Sequence, residues 1–145
     1  MRLPLIAVAL VAAMSVAAFS GNDDQLSRLI DRAQSASVDQ QARLYAEIAE
    51  HEVKLADEMY TADKVPEGAA RVSDAVSYAD KSSDAAIRSG KHLKDTEIAM
   101  RKMAAKLRDV TRKLSVEDQA SVIAAANHLE ALRTNLLSHM FKGKE

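Results

Sequence analysis

The sequence predicts an all-α fold, either an antiparallel helical bundle or a stack of long helical hairpins, built from four to five helices. Three observations support this. Apolar residues recur at spacings of three and four over long stretches, which is typical of helices that bury one side. After residue 20 the chain has a single proline, Pro66, and is rich in residues of high helix propensity. No segment there shows the strict apolar–polar alternation of a half-buried strand.

Residues 1–20 predict a cleaved secretory signal peptide. Arg2 supplies a positive charge, residues 3–14 form an apolar stretch, and small residues follow it. The small-residue pattern allows cleavage before Phe19 or before Gly21. The alternative is an uncleaved membrane anchor, but a spanning helix needs about 20 apolar residues and this run is shorter. We therefore expect an exported protein, periplasmic or secreted, in which residues 21–145 form a single all-helical domain.

Composition narrows the functional classes. Without Arg2, 19 basic residues face 21 acidic ones, so residues 21–145 have a net charge of −2. A nearly neutral chain is not drawn as a whole to nucleic acid or to an anionic membrane. The chain has no cysteine, so disulfides and cysteine lipidation are excluded and helix packing must hold the fold together.

Two helices are predicted in the first half of the domain. The first covers residues 24–35 and places four apolar residues on one side. The second covers residues 38–62, after an interruption by small polar residues at 35–37. Its apolar stripe contains Glu52 as an intruding charge. The predicted stripes are Leu26, Leu29, Ile30 and Ala33 in the first helix, and Tyr45, Ile48, Leu55, Met59 and Ala62 in the second.

The third helix is predicted to pack unusually close to a neighbour. Residues 63–68 form a turn, and Pro66 suits the first turn of the helix that follows, where its missing N–H costs nothing. The stripe after it consists of small residues, which let a partner helix approach closely. These residues are Ala69, Val72, Val76, Ala79, Ser83 and Ala86.

The same spacing continues through Gly90, so two interpretations remain open for residues 67–114. One is a single helix of roughly 70 Å. The other is two helices with a bend or break near Gly90, and we favour it because glycine costs about 1 kcal/mol inside a helix. The stripe after the glycine is Leu93, Glu97, Met100, Ala104, Leu107, Thr111 and Leu114.

The last helix has the clearest predicted start. Ser115 is placed as its N-cap, and Glu117 and Asp118 follow in the first turn, where the helix dipole favours acids. Residues 142–144 supply cations and a glycine at its end. Its predicted stripe is Val122, Ala125, Leu129, Leu132, Leu136 and Met140. From these patterns we expect Leu107 and Leu132 in the core and Lys102 on the surface.

The sequence predicts no catalytic residue, no cofactor-binding residue, no metal ligand and no cofactor. The paired Glu-x-x-His pattern of di-iron bundles fails at His51, His92, His128 and His139, which have no glutamate three positions before them. A weaker cluster of Glu47, His51 and Glu58 shares one helix side, and we interpret it as a solvated surface. The methionines after residue 20 lie on or beside core stripes, where methionine is ordinary packing.

Charge is segregated between two segments. Residues 39–64 have a local charge of −4, and residues 91–114 a local charge of +5. The simpler hypothesis is that the two segments pair within one chain or across a dimer. The sharper one is that the basic segment meets an anionic partner, although it has no aromatic residue to stack on nucleic-acid bases.

Three runs resemble those of uncharacterised exported all-helical bacterial proteins. They are LYAEIAEHEVKLADEMY at residues 44–60, VSYADKSSDAA at residues 76–86 and LKDTEIAMRKMAAKLRD at residues 93–109. The resemblance covers most of the chain after the signal segment and implies no activity. A slight similarity of the helical pairs to tetratricopeptide repeats fails, because the helix at residues 38–62 is too long for such a unit.

The function expected from these patterns is non-enzymatic. We expect an exported helical protein that acts by contact with a protein partner or with itself, so a homo-oligomer is an expected form. Nucleic acid is not expected as a partner, and a membrane only through an uncleaved N-terminus or the basic side of residues 91–114. The alternative is a periplasmic protein that handles a metal or small ligand at Glu47 and His51.

Overall fold

The computed structural model describes residues 20–142, with side chains from Asp23 onward, and this part of the chain is entirely helical apart from short turns. Five helices follow one another without a strand between them, which confirms the all-α prediction. The predicted signal segment through Phe19, the cleavage site before Phe19 and the chain end at residues 143–145 lie outside the described residues, whereas the cleavage site before Gly21 falls after the first residue of α1. The helices are α1 Ser20–Ser35, α2 Val38–Thr61, α3 Val65–Ser89, α4 Leu93–Thr111 and α5 Val116–Lys142.

Two antiparallel hairpins form the bundle, α2 with α3 and α4 with α5. The hairpins pack side by side, with α2 next to α4 and α3 next to α5. Asp39 approaches Lys91 at the start of α2 and α4, and Asp57 meets Lys106 towards their ends, so these two helices run parallel. Helix α1 packs along α2 and adds a fifth element outside the four-helix unit.

Small residues bring α2 and α3 close together, as expected from the third stripe, although two of the residues in contact, Ser82 and Gly68, lie beside that stripe. The buried Ser82 hydroxyl donates a 2.6 Å hydrogen bond to the carbonyl oxygen of Ala42 across the interface. Gly68 is buried directly against the ring of Tyr60. Because glycine, alanine and serine leave little side chain between the backbones, the two helices are in contact along most of their length.

Helix α2 buries two sides, although only one stripe was predicted for it. Ile48 and Leu55 pack against α1, together with the predicted Leu26, Leu29 and Ala33. A second set of α2 residues enters the main core: Ala42, Ala46, Ala49, Val53, Ala56 and Tyr60. This set was missed because alanine gives a weak hydrophobic signal.

The predicted α2 stripe was wrong at its end. Ala62 is exposed, because the helix ends at Thr61 and Ala62 serves as its C-cap. Tyr45, earlier in the stripe, is only half-buried.

The chain breaks at Gly90, as favoured from the sequence. Helix α3 ends at Ser89, and Gly90 has φ 67°, in the left-handed region that glycine adopts without strain. His92 also has a positive φ, 62°, before α4 begins at Leu93. The matched spacing on the two sides of Gly90 therefore belongs to two separate helices.

The predicted core of α4 and α5 is mostly confirmed. Leu107 and Leu136 are fully buried, and Lys102 is exposed. The expectation for Leu132 was too strong, because this residue is half-buried at the edge of the core. Leu129 and Leu136, one turn to each side of it, point more directly at the neighbouring helices.

Helix α5 starts where it was expected, but Ser115 bonds differently. Its hydroxyl donates to the carboxylate of Asp118 at 2.8 Å, and not to the backbone. The backbone N–H groups of Asp118 and Gln119 donate to the Ser115 carbonyl and begin the helical hydrogen bonding.

Candidate functional site

Helix α5 exposes large hydrophobic side chains. Within residues 23–142, three large hydrophobic residues are exposed, and all three belong to α5: Val116 at 83%, Ile123 at 43% and Phe141 at 65%. Single exposed apolar residues are normal on a protein surface. Their placement on one helix is informative, because all three could contact a partner that lies along that helix.

These three residues belong to one uncharged stripe that runs the length of α5. Its members recur at spacings of three and four, so they share one side of the helix. Every one of them is exposed and none is charged. We call this stripe the outer face of α5; it consists of Val116, Ala120, Ile123, Asn127, Ala131, Thr134, Ser138 and Phe141.

The outer face lies opposite the side of α5 that enters the core. Val122, Ala125, Leu129 and Leu136 are buried against the other helices, and the outer-face positions point away from them around the helix. A helix with apolar or uncharged residues all round is usually packed on more than one side. In this chain one of those sides has no covering helix among the described residues.

The charges in the middle of α5 are turned away from the outer face. Apart from two histidines, His139 and the exposed His128, whose Nε2 lies 2.6 Å from Asp80 Oδ1, the acidic and basic residues between Gln119 and Phe141 are Glu130 and Arg133. Both are half-buried and bond to α4. Arg133 Nε donates to Glu97 Oε1 at 2.7 Å, and Glu130 Oε1 accepts a 3.3 Å hydrogen bond from Arg108 Nη1. These hydrogen bonds hold both charged side chains towards α4.

Charges of opposite sign stand at the two ends of the outer face. Glu117 is exposed at the start of α5 and Lys142 is exposed at its end. They are about seven turns apart at roughly 3.6 residues per turn, so they flank the outer face on the same side. Each also matches the helix dipole, with the acid at the positive end and the cation at the negative end.

The buried charges elsewhere in the molecule have internal partners. The Glu52 side chain is 3% exposed and lies 3.3 Å from Arg71 Nη1, while Arg71 Nη2 lies 3.2 Å from Asp23. Burial raises the pKa of Glu52, and the neighbouring Arg71 opposes the shift. This cluster ties α1, α2 and α3 together, which identifies it as an element of the fold.

The charged segments of α2 and α4 pair within the chain. Lys113 Nζ donates to Asp57 Oδ1 at 2.8 Å and Lys106 Nζ lies 3.1 Å from Asp57 Oδ2. Lys102 acts on Glu50, where it opposes a rise in the pKa of that carboxyl caused mainly by desolvation. The simpler hypothesis, intramolecular pairing, therefore describes these contacts, and part of the basic segment is already neutralised.

A cleft of about 350 Å³ lies between the first halves of α2 and α4. Ala46, Thr96 and Ala99 are among its lining residues. The cleft is lined by the basic Arg43 and by three acidic residues. Because both signs of charge are present, the lining favours neither anionic nor cationic ligands. The acidic lining residues are Glu47, Glu50 and Asp95.

Glu47, His51 and Glu58 do not form a ligand set in the structure. Among residues 23–142, no three histidine, aspartate or glutamate side chains are grouped so that they could hold a metal ion. His51 is half-buried, and its Nε2 has no hydrogen-bond partner among the described residues. Its neighbours in sequence point to different surroundings, with Glu52 turned inward to Arg71.

The outer face of α5 is the feature that the sequence analysis missed. The predicted stripe of α5 ran from Val122 to Met140, and no prediction was made for the opposite side of the helix. The signal that could have revealed the outer face is a second three-and-four spacing on the same helix, uncharged from Ala120 to Phe141.

Every helix found among residues 20–142 is too short or too polar to cross a membrane.

Comparison with known proteins adds no relative to this description. No family model, no curated protein and no solved structure matches the chain.

Proposed function

We propose that this protein is a non-enzymatic, exported helical protein that acts by protein–protein contact, including contact with itself, and that the outer face of α5 is its contact surface. The observation that supports the proposal is the placement of Val116, Ile123 and Phe141, the exposed large hydrophobic residues of the described chain, on one uncharged helix side.

The outer face shares the absence of charged residues with the core of a protein–protein interface. Such cores are depleted in charged residues, whereas charges are tolerated at the rim. Here Glu117 and Lys142 stand at the ends, and the outer-face side chains between them are uncharged. Apolar contact along the helix would supply the binding energy, and the charges at the ends would select the partner and its direction.

The helix scaffold suits this role because it presents the surface in a fixed shape. Leu129 and Leu136 anchor α5 in the core, and Glu130 and Arg133 tie it to α4. A preformed surface loses little conformational entropy when a partner binds, and this improves affinity for a given contact area.

Site-specific photo-crosslinking in the cells that make the protein tests the proposal. A benzophenone amino acid replaces Ala124, an exposed residue on the flank of the outer face, in the full-length chain. We expect one reproducible protein adduct, identified by mass spectrometry, and its loss when Ala131→Glu is also present. The matched control places the same probe at Ala105, an exposed alanine on α4. Equal adducts from both positions, or none from Ala124, would contradict the proposal.

A further inference from the structure

The two ends of the outer face are complementary to each other. The start of α5 offers the exposed apolar Val116 beside the acidic Glu117, and its end offers the exposed apolar Phe141 beside the basic Lys142. A surface whose two halves match in this way can bind a copy of itself that runs in the opposite direction, because a twofold axis brings each end against the other.

We propose that the outer face of α5 binds a second copy of this chain, with the two α5 helices antiparallel about a twofold axis near the middle of the stripe. This inference rests on the contact function proposed above and names its partner. It makes the protein a homodimer whose interface is formed by one helix from each copy.

The register follows from the positions of the outer-face residues. When Val116 is opposite Phe141 of the second copy, the residues between them also fall into facing pairs. Ala120 then faces Ser138, Ile123 faces Thr134, and Asn127 faces Ala131. Apolar side chains therefore meet at both ends, and the small side chains near the axis let the helix backbones approach closely. Asn127, as a polar residue within a helical seam, favours one register over a shifted one.

The flanking charges select the antiparallel direction. Glu117 and Lys142 lie on the same flank of the outer face, and a twofold axis perpendicular to the helices keeps that flank on one side of the dimer. Each Glu117 would then stand beside Lys142 of the second copy, at both ends of the interface. A parallel pairing would place Glu117 at the opposite end of the interface from Lys142 of the second copy, so neither of these ion pairs could form. Exposed ion pairs contribute little affinity, so their role here is to set the direction.

The helix dipoles act in the same sense. Antiparallel α5 helices place the positive end of one beside the negative end of the other, over a contact of roughly 40 Å for a helix of 27 residues. The flanking charges and the dipoles thus favour the same arrangement.

Sedimentation velocity of the protein purified from the cells that make it tests the association. We expect a mass that rises with concentration from monomer to dimer and goes no further. Ala131→Glu places a charge near the axis in both copies and should raise the dimer dissociation constant at least tenfold. The matched change Ala105→Glu, on an exposed α4 position, should leave the constant unchanged. Circular dichroism of both variants verifies that the helices remain folded.

Charge exchange tests the antiparallel direction at low salt. Glu117→Lys and Lys142→Glu should each weaken the dimer severalfold, because each brings like charges together at both ends. The double variant exchanges the two signs and should restore the wild-type dissociation constant. A double variant that is weaker than both single variants would contradict an antiparallel pair.

Cysteine pairing gives an independent measure of direction, because the chain has no cysteine of its own. Val116→Cys and Phe141→Cys chains are mixed and oxidised. We expect the mixed disulfide to form in preference to either symmetric one, since the two positions face each other at disulfide distance. Preferential symmetric disulfides would overturn the inference.

The failures of the two proposals can be told apart. A chain that stays monomeric at all concentrations, together with an Ala124 photo-adduct to a different protein that Ala131→Glu abolishes, would overturn the homodimer and keep the contact function. A monomeric chain whose Ala124 probe captures no protein would overturn both.

Discussion

Gly68 is a residue at which packing opposes helix propensity. An alanine in a helix is normally favoured over glycine by about 1 kcal/mol, but a Cβ at Gly68 would lie 2.8 Å from ring atoms of the buried Tyr60. Overpacking of this kind costs about 1–3 kcal/mol. We therefore expect Gly68→Ala to lower the free energy of unfolding, as measured by chemical denaturation.

The control for Gly68 is a double-mutant cycle. In a Tyr60→Leu background the aromatic ring is absent, and Gly68→Ala should become neutral or stabilising, because only the propensity gain remains. If Gly68→Ala destabilises both backgrounds equally, the ring is not the cause.

Glu52 is a residue whose burial makes stability depend on pH. Burial raises its pKa from the ordinary value of 4.5, and Arg71 opposes the shift without cancelling it. The folded state therefore holds the Glu52 proton more tightly than the unfolded chain. The stabilisation that Glu52 contributes is fully present below about pH 4.5, which is near its pKa in the unfolded chain. This stabilisation is lost as the pH rises through the higher pKa that Glu52 has in the folded state.

Comparison with Glu52→Gln isolates this effect. The free energy of unfolding of the wild type, minus that of the variant, should fall as pH rises from about 4.5 towards neutrality. Arg71→Met removes the opposing cation, so the fall should become steeper and extend to higher pH. A difference between wild type and Glu52→Gln that stays constant over this range would show that Glu52 has no raised pKa.

At the scale of the helices, Asp57 joins α2 to the basic side of α4. Burial alone would raise the pKa of Asp57, but hydrogen bonds from Lys113 and Lys106 outweigh it and leave the pKa below its ordinary value. Changing Lys106 and Lys113 to Glu would place like charges beside Asp57. We expect a lower melting temperature, and a larger loss at low salt, because fewer ions then screen the repulsion between these partly exposed side chains.

The structure identifies the residue whose reversal should rescue that loss. From the charge pattern alone, reversal of Glu47, Glu50 and Glu58 is the natural choice, but the two lysines contact Asp57. In the variant that carries Lys106→Glu and Lys113→Glu, Asp57→Lys should recover part of the lost melting temperature. Glu47→Lys, at an exposed position, should recover less. Equal recovery by both changes would show a general effect of net charge.

At the scale of the whole molecule, the N-terminal segment and the bundle are predicted to be separable. Mass spectrometry of the protein from the cells that make it should show a new N-terminus at Phe19 or Gly21, following the signal-peptide pattern. The first buried side chain described in α1 is Leu26, so either cleavage leaves the described core complete. The melting temperature of the cleaved protein should therefore match that of a chain that retains residues 1–20. A membrane-bound protein with an intact Met1 would support the anchor alternative.

Sequence patterns predicted the positions of the helices well, and the contacts between the helices less well. The three-and-four stripes located all five helices, and Gly90 marked the break between α3 and α4, because both signals are local properties of the backbone and its side-chain order. They placed Leu132 in the core and found one buried side on α2 where there are two. A stripe states which residues share a side of a helix, but it does not state how many neighbours that helix has.

At the candidate site, too, some features can be predicted from the sequence and others depend on how the helices pack. The sequence itself shows that Ala120 to Phe141 contains only two acidic or strongly basic residues, Glu130 and Arg133, besides two histidines. Only the packing of the hairpins decides that Val116, Ile123 and Phe141 are uncovered. It also decides that Glu130 and Arg133 turn towards α4.

What the sequence by itself determined is the helical character of the chain, the order and approximate limits of its helices, the close-packing stripe of α3 and the opposed charges of α2 and α4. These depend on propensity, periodicity and breakers, which act over a few residues. Tertiary structure alone decided that α2 lies between α1 and the main core, that Asp57 receives both Lys106 and Lys113, and that one side of α5 stays uncovered. These depend on contacts between residues far apart in the chain, and such contacts are set by how the helices fill space together.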